Sequence, residues 1–267
     1  MPALLSEWSA IAKPIIGMLH LPPLPGSPGF SSDSDSIVTR LLSDAQALVD
    51  GGVHGLLMEN FGDAPFFPRR VPAHVVAHMT HLAGEVRRRF DLPLGINVLR
   101  NDGLSALSVA QATGAALIRV NVLCGARLTD QGILEGIAHE LLRERELLDA
   151  RNIRILADVE VKHSTALGVA RPLEEEVQDT IQRGRADAVV VSGSGTGRAT
   201  SLETIRRAKS AAGDTPVFVG SGITAENVAA HLDAADGAIV GTGFKKDGQA
   251  RNPVDPGRVR AIMREVS

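Results

Sequence analysis

The chain has 267 residues, of which 44% are hydrophobic and 22% are charged, and its net charge is −3. This length is close to the roughly 250 residues of one α/β barrel, and the composition is typical of a soluble globular protein. The slightly acidic balance argues against a nucleic-acid-binding surface. No run of about 18 apolar residues predicts a transmembrane helix. We therefore expect one domain over residues 1–267.

The cellular compartment is predicted from the cysteine content and the first residues. Cys124 is the only cysteine, so no disulfide can form within the chain, which fits a reducing compartment. The first residues lack a basic region followed by an apolar segment, as a signal peptide would have. We expect a cytoplasmic protein, and the sequence leaves open whether it forms a homo-oligomer.

Apolar runs alternate with amphipathic stretches through the first half of the chain. The runs predict strands at residues 15–20, 55–59, 94–98 and 117–122. The amphipathic stretches predict helices at residues 36–50, 73–90, 103–113 and 133–150. The proline-rich segment 21–30 is a loop after the first strand.

The same alternation continues to the end of the chain. It predicts strands at residues 153–159, 186–191, 217–219 and 238–240, and helices at 173–183, 202–212 and 256–266. Such alternation implies parallel βαβ units, and eight of them in this length favour a closed (β/α)8 TIM barrel over an open sheet. No G-x-G-x-x-G follows the first strand, so a dinucleotide-binding fold loses its main support.

Two glycine-rich turns follow the last two predicted strands. They are Gly220-Ser221-Gly222 and Gly241-Thr242-Gly243. Glycine lets backbone amides approach a dianion, and a helix N-terminus adds partial positive charge. Consecutive turns of this kind form the usual phosphate site of a barrel, although glycines also serve simply to make tight turns. We predict a phosphate site here, with Ser192 and Gly193 of the donor-rich loop 192–197 contributing.

Polar side chains end six of the predicted strands. Because strand side chains alternate between the two faces, one set of positions points to the barrel axis at its carboxyl end, where barrel enzymes keep their chemistry. This set contains His20, Glu59, Asn97, Asn121, Asp158 and Ser192. Arg119 belongs to the same set one layer deeper, where a structural ion pair with Glu59 is one interpretation.

The segment Asp158–His163 holds a carboxylate, a lysine and an imidazole within six residues. It is suited to general acid–base catalysis, to a Schiff base on Lys162, or to a divalent cation shared by Asp158 with Asp63 and Glu160. The predicted catalytic residues are Asp158, Lys162, Glu59, His20, Asn97 and Asn121. His74, His78 and His81 share a helix face but lack the HExxH pattern, so their role stays open.

Several motifs together resemble the BtpA/SgcQ family, named for a photosystem I biogenesis protein. They include KPIIGMLHLPPLPGSP (13–28), ENFGDAPF (59–66), GINVLRND (95–102), ADVEVKH (157–163), VVVSGSGTG (189–197), GSGIT (220–224) and ADGAIVGTGFK (235–245). The resemblance covers nearly the whole chain, and it implies a barrel similar to the ribulose-phosphate-binding barrels. It carries over no catalytic residues, so the site residues above rest on strand register.

Two functions follow from these patterns. The leading hypothesis is an enzyme that binds a small phosphorylated metabolite, such as a sugar phosphate, and performs aldol, isomerase or lyase chemistry. The alternative, implied by the family name, is a non-enzymatic assembly factor for photosystem I that contacts a membrane peripherally. We also expect the loops 21–30 and 192–197 to order around a ligand at the barrel mouth.

Overall fold

The computed structural model describes residues 3–31, 33–193 and 195–266. Within these ranges the chain forms strands β1 Ile15–His20, β2 Gly55–Glu59, β3 Leu94–Asn97, β4 Leu117–Val120, β5 Ala126–Thr129, β6 Gly132–Glu135, β7 Arg154–Val159, β8 Ser164–Ala166, β9 Ala188–Val191, β10 Val217–Val219 and β11 Gly237–Val240. Eight of them close a parallel barrel in the order β1-β11-β10-β9-β7-β4-β3-β2, which confirms the predicted (β/α)8 fold.

Helices connect the barrel strands. They are α1 Ser34–Asp50, α2 Ala73–Arg89, α3 Gly103–Thr113, α4 Ala138–Leu147, α5 Leu173–Gln182, α6 Leu202–Ala212, α7 Val228–Ala234 and α8 Pro256–Arg264. Side-chain oxygens cap the starts of α1, α3, α6 and α8, as at α1, where Asp33 accepts a hydrogen bond from the Ser36 amide at 2.6 Å. None of the helices in the described ranges is long and apolar enough to span a bilayer.

The predicted alternation of inward and outward side chains is confirmed along the barrel. One buried cluster fills the interior and includes Ile16, Met18, Leu57, Leu117, Leu156, Ala188, Val190, Phe218 and Ile239. The alternate positions, such as Ile15, Leu56 and Ile118, pack against the helices in a second cluster. Trp8 joins the interior cluster near the starts of the strands, where its Nε1 donates to the His54 carbonyl at 2.7 Å.

The helix predicted over residues 133–150 is wrong in its first third. Residues Gly132–Glu135 form β6, which pairs antiparallel with β5, and β5 pairs with β8. We call these three strands the lid sheet. The turn before β6 uses Gly132 at φ 94°, and Leu134 is buried against Val122 and Val161. The apolar residues at 133, 134, 137, 141 and 142 fit a helical period equally well, and the hairpin with β5 together with the contacts of Leu134 selects the strand.

Candidate functional site

A cavity of about 370 Å³ opens at the carboxyl ends of the barrel strands. This volume is suited to a small metabolite. Four of the six predicted catalytic residues line it: His20, Glu59, Asn121 and Lys162. Five of the predicted phosphate-binding residues line it as well: Gly220, Ser221, Gly222, Gly241 and Thr242.

The remaining predicted site residues lie behind this lining. Asp158 and Asn97 are buried and bond to side chains that form the cavity wall. Ser192 and Gly193 border a separate surface groove, and the Gly193 amide already donates to Ser221 Oγ at 2.7 Å. Within the predicted loop 192–197, Thr196 and Gly197 reach the cavity, while Ser194 lies outside the described residues.

Asp158 is the acceptor of a buried network on the cavity floor. Its carboxylate accepts from Arg119 Nε at 3.0 Å and Nη2 at 3.2 Å, and from Asn121 Nδ2 at 2.5 Å. The suggested pairing of Arg119 with Glu59 is therefore wrong. Strand β4 lies directly beside β7, which carries Asp158, whereas Glu59 is two strands away and accepts from Asn97 at 2.6 Å.

His20 and Glu59 form a pair of acceptors on the opposite wall. His20 Nδ1 lies 3.2 Å from the Ala250 carbonyl oxygen, so this nitrogen carries the proton and donates. Burial, followed by the charge of Lys245, lowers the pKa of His20 to about 3. The imidazole is therefore neutral near pH 7, and its approach to Glu59 at 3.9 Å is not a salt bridge. Phe61 stacks on the ring at 4.5 Å and fixes its plane.

Lys162 is the one predicted catalytic residue whose pKa is moved close to neutral pH. Burial, and then the charge of Arg119, lowers the pKa of its amine to about 8. The residue lies between β7 of the barrel and β8 of the lid sheet, and it lines the cavity. No carboxylate of the described chain lies within 4.0 Å of this amine.

Arg100 is a cavity residue that the strand-register argument missed. It is 5% exposed, and its Nη2 donates to the Lys162 carbonyl at 2.6 Å. Its Nε is buried and has no hydrogen-bond partner among residues 3–31, 33–193 and 195–266. The loop after β3 is held by Asn60, which accepts from the Leu99 amide at 2.7 Å. The available signal was its position three residues past Asn97, in the motif GINVLRND.

The two glycine turns present amides that have no acceptor within the described chain. Gly220 uses its amide to bond the Val191 carbonyl at 2.8 Å, which ties the first turn to β9. The amides without a described acceptor are those of Ser221, Gly222, Ile223, Gly241, Thr242 and Gly243. All six residues line the cavity. Unpaired backbone donors in this arrangement are suited to an anion.

Gly222 also has a structural role. Its φ is +74°, and a Cβ built there would lie 2.2 Å from the Ala199 Cα. A β-branched side chain would collide with backbone, so substitution of Gly222 would disrupt folding rather than test binding. Thr242 lies in the second turn without this restriction, since its side chain is half-buried and lines the cavity.

The proposed carboxylate site for a divalent cation is not assembled. Asp158 is occupied by Arg119 and Asn121, and Asp63 accepts from the Leu24 amide at 2.8 Å. Glu160 is exposed and does not line the cavity. Across the three described ranges, the chain has no group of three or more His, Cys, Asp or Glu that could hold a metal ion, and this includes the face of His74, His78 and His81.

Comparison with known sequences gives a clear family match. Residues 11–267 match the model of the BtpA family. The chain is 45% identical over 255 residues to the photosystem I biogenesis protein BtpA of Synechocystis, covering 96% of this chain and 88% of that protein. It is 46% identical to a protein of Thermococcus kodakarensis, covering 94% of each, and 32% identical to a Caenorhabditis elegans protein described as mitochondrial, covering 96% and 94%.

Solved structures with the same fold share little sequence. Thiamine phosphate pyrophosphorylase from Pyrococcus furiosus superposes with a TM-score of 0.57 at 16% identity, covering 96% of this chain and 95% of that one. Orotidine 5'-phosphate decarboxylase from Pyrococcus horikoshii superposes with a TM-score of 0.59 at 15% identity, covering 94% and 98%. At this level of identity the likeness establishes the barrel fold alone.

Proposed function

The chain belongs to the BtpA family, and we propose that it is an enzyme acting on a small phosphorylated metabolite in the cavity at the barrel mouth. One observation carries the proposal. Six backbone amides without a described acceptor, from two consecutive glycine turns, belong to residues lining the same cavity as Lys162. Amides of this kind bind phosphate oxygens without requiring a cationic side chain.

The chemistry is assigned to Lys162, His20 and Glu59, and His20 ends β1, next to β11 and its glycine turn. A group whose pKa lies near the working pH is the most effective general acid or base, and the pKa of Lys162 is lowered to about 8. The neutral Nε2 of His20 and the carboxylate of Glu59 accept hydrogen bonds from substrate hydroxyls. Together they suit proton transfer next to a carbonyl, as in aldol, isomerase or lyase reactions.

A Schiff base on Lys162 is the second route through the same residue. A lysine with a lowered pKa keeps a larger fraction of free amine at neutral pH, which makes it a better nucleophile. The two routes differ in one observable, because only a Schiff base leaves an adduct that borohydride reduces onto Lys162. Mass spectrometry of the protein treated with borohydride and a carbonyl substrate separates them.

The names of the structural neighbours support a phosphorylated ligand. Two of them are named for phosphorylated compounds, thiamine phosphate and orotidine 5'-phosphate. The name of the Synechocystis relative supports the alternative, a role in photosystem I biogenesis. Relatives in an archaeon and a nematode, which have no photosystem, favour an activity common to all of them.

The phosphate site is tested with a pair of variants that differ in one charge. Thr242→Glu places a carboxylate beside the free amides, and Thr242→Gln has almost the same size without the charge. Inorganic phosphate and glycerol 3-phosphate should raise the melting temperature of the wild type and the Gln variant, because a ligand that binds only the folded state stabilises it. The Glu variant should lose this response. Equal responses from both variants would place the anion elsewhere.

A further inference from the structure

We infer that the substrate carries a second anionic group, a carboxylate or a second phosphate, which binds between Arg100 and Lys162. This inference rests on the proposed function, since it names the substrate class of the same cavity. The phosphate occupies the glycine turns, and the second anion occupies the other side of the mouth. The substrate is therefore a phosphorylated acid or a bisphosphate rather than a simple sugar phosphate.

The barrel order places the two anion sites across the mouth from each other. In the closed ring β1-β11-β10-β9-β7-β4-β3-β2, strand β3 is four places from β10 in either direction. Arg100 follows β3, and the first glycine turn follows β10. Lys162 follows β7, which is two places from β10 and three places from β11. A ligand that fills the cavity therefore meets both groups with its two ends.

The cations on this side lack the partner that a buried charge requires. Arg119 is compensated by Asp158 at 2.9 Å. Arg100 is 5% exposed, yet in the described part of the chain neither it nor Lys162 has a carboxylate within 4.0 Å. A buried charge without a partner is strongly unfavourable. Its presence at the wall of a cavity indicates that a ligand supplies the opposite charge.

The two acidic residues that line the cavity, Glu59 and Asp130, do not supply the negative charge that Arg100 and Lys162 lack. Glu59 accepts a hydrogen bond from Asn97 on the neighbouring strand β3. Asp130 is exposed on the lid sheet turn and bonds the neighbouring Gln131. Both act on Arg100 only through longer-range attraction. The buried Nε of Arg100 consequently has no acceptor within the described residues.

A carboxylate or phosphate oxygen matches the donors present. The Nη2 of Arg100 is committed to the Lys162 carbonyl, which locks the guanidinium beside the lysine backbone. This leaves Nε and Nη1 of Arg100 and the ammonium of Lys162 as charged donors without a carboxylate partner in the described chain, on residues that line the same cavity. Hydrogen bonds between ionised donors and acceptors are about twice as strong as neutral ones. A hydroxyl in the same place would satisfy the geometry but not the charge.

The experiment compares acids with the matching alcohols by calorimetric titration of the full chain. One pair is 3-phosphoglycerate and glycerol 3-phosphate, and the longer pair is 6-phosphogluconate and glucitol 6-phosphate. Each pair differs only by a carboxylate in place of a hydroxymethyl group. For the pair whose length spans the mouth, the acid should bind at least about tenfold more tightly, the size expected for one charged hydrogen bond.

Variants of Arg100 and Lys162 test whether these residues cause the difference in affinity between acid and alcohol. Arg100→Gln should bring the ratio of the two affinities close to one, whereas Arg100→Lys should keep part of it. If Arg100→Gln does not fold, Lys162→Gln gives the same readout. Arg89→Gln is the control, because Arg89 ends α2 at the opposite end of the barrel and carries the same charge.

The outcomes separate this inference from the proposed function. If the alcohols bind through their phosphate but every acid binds equally well, the second anion site is refuted and the phosphate site stands. The second anion site is refuted in the same way if Arg100→Gln and Lys162→Gln leave the preference for the acid unchanged. If no phosphorylated compound binds the wild type, the proposed function and this inference both fail.

Discussion

Replacing Lys162 with methionine should stabilise the protein in the absence of ligand. The folded structure lowers the pKa of this amine from 10.5 to about 8. At about 1.4 kcal/mol per pH unit, this corresponds to about 3 kcal/mol by which folding disfavours the charged form. The residue is partly exposed, so solvent screening reduces the effect. We expect Lys162→Met to raise the free energy of unfolding by about 1–3 kcal/mol at pH 7.

The stability difference between Lys162→Met and the wild type should depend on pH in a defined direction. Below pH 8 the amine is charged in both the folded and the unfolded chain, so the full penalty applies to the wild type. Between pH 8 and 10.5 the folded wild type loses this proton while the unfolded chain keeps it, so wild-type stability rises relative to the variant. The advantage of Lys162→Met should therefore shrink across that window.

Urea denaturation at pH 7, 8, 9 and 10 measures the difference directly, because the midpoint and slope give the free energy of unfolding at each pH. Lys246→Met is the control for the substitution itself, since Lys246 is exposed near the same end of the barrel. A destabilised Lys162→Met, or an advantage that grows above pH 8, would refute the argument that this ammonium is desolvated and uncompensated.

Three further predictions concern the buried charges and the histidine. Asp44→Asn should lower the free energy of unfolding by about 3–5 kcal/mol in urea titrations. The reason is that the amine of Lys245 is fully buried and lies 2.8 Å from the Asp44 carboxylate, which the substitution removes. An effect below about 1 kcal/mol would contradict this. Asp158→Asn should lower the free energy of unfolding by a similar amount, because it leaves the buried Arg119 without a carboxylate partner. The double variant Asp158→Leu with Arg119→Met should recover stability without recovering activity. Recovered turnover on an identified substrate would show that the pair is only structural. His20 should remain the neutral Nδ1–H tautomer from pH 5 to 8 in ¹⁵N NMR spectra, given its pKa of about 3, and a titration near pH 6.5 would overturn that assignment.

The fold could be predicted because its signals are local. Alternating strand and helix periods, together with a length that fits eight units, were enough for the barrel, and strand parity gave the inward set correctly. The lid sheet could not be predicted in this way. Its strands are only three or four residues long, and although β5 and β6 form a local hairpin, β5 pairs with β8 across 35 residues of sequence at Thr129 and Ser164. Such pairing depends on tertiary contacts rather than on local propensity.

The residues of the candidate site could be predicted at the ends of strands, but not within the loops that follow them. His20, Glu59 and Asn121 lie at or next to strand ends, so parity alone directs them to the cavity. Arg100 owes its position to contacts that no local pattern encodes, such as the hydrogen bond from its amide to the Phe67 carbonyl at 3.0 Å. The partner of Arg119 was likewise undetermined until the neighbouring strands were known.

The buried and partly buried cations of the barrel divide into two kinds, and we infer that this division separates stability from function. Arg119 and Lys245 each reach a carboxylate at less than 3 Å, and both pairs link elements of the barrel. Arg100 and Lys162 have no such partner within the described residues and line the cavity instead. Selection for folding alone would have paired or removed them, since each lowers the stability of the ligand-free protein. Their retention at the cavity wall is best explained by a ligand whose negative charge completes the network.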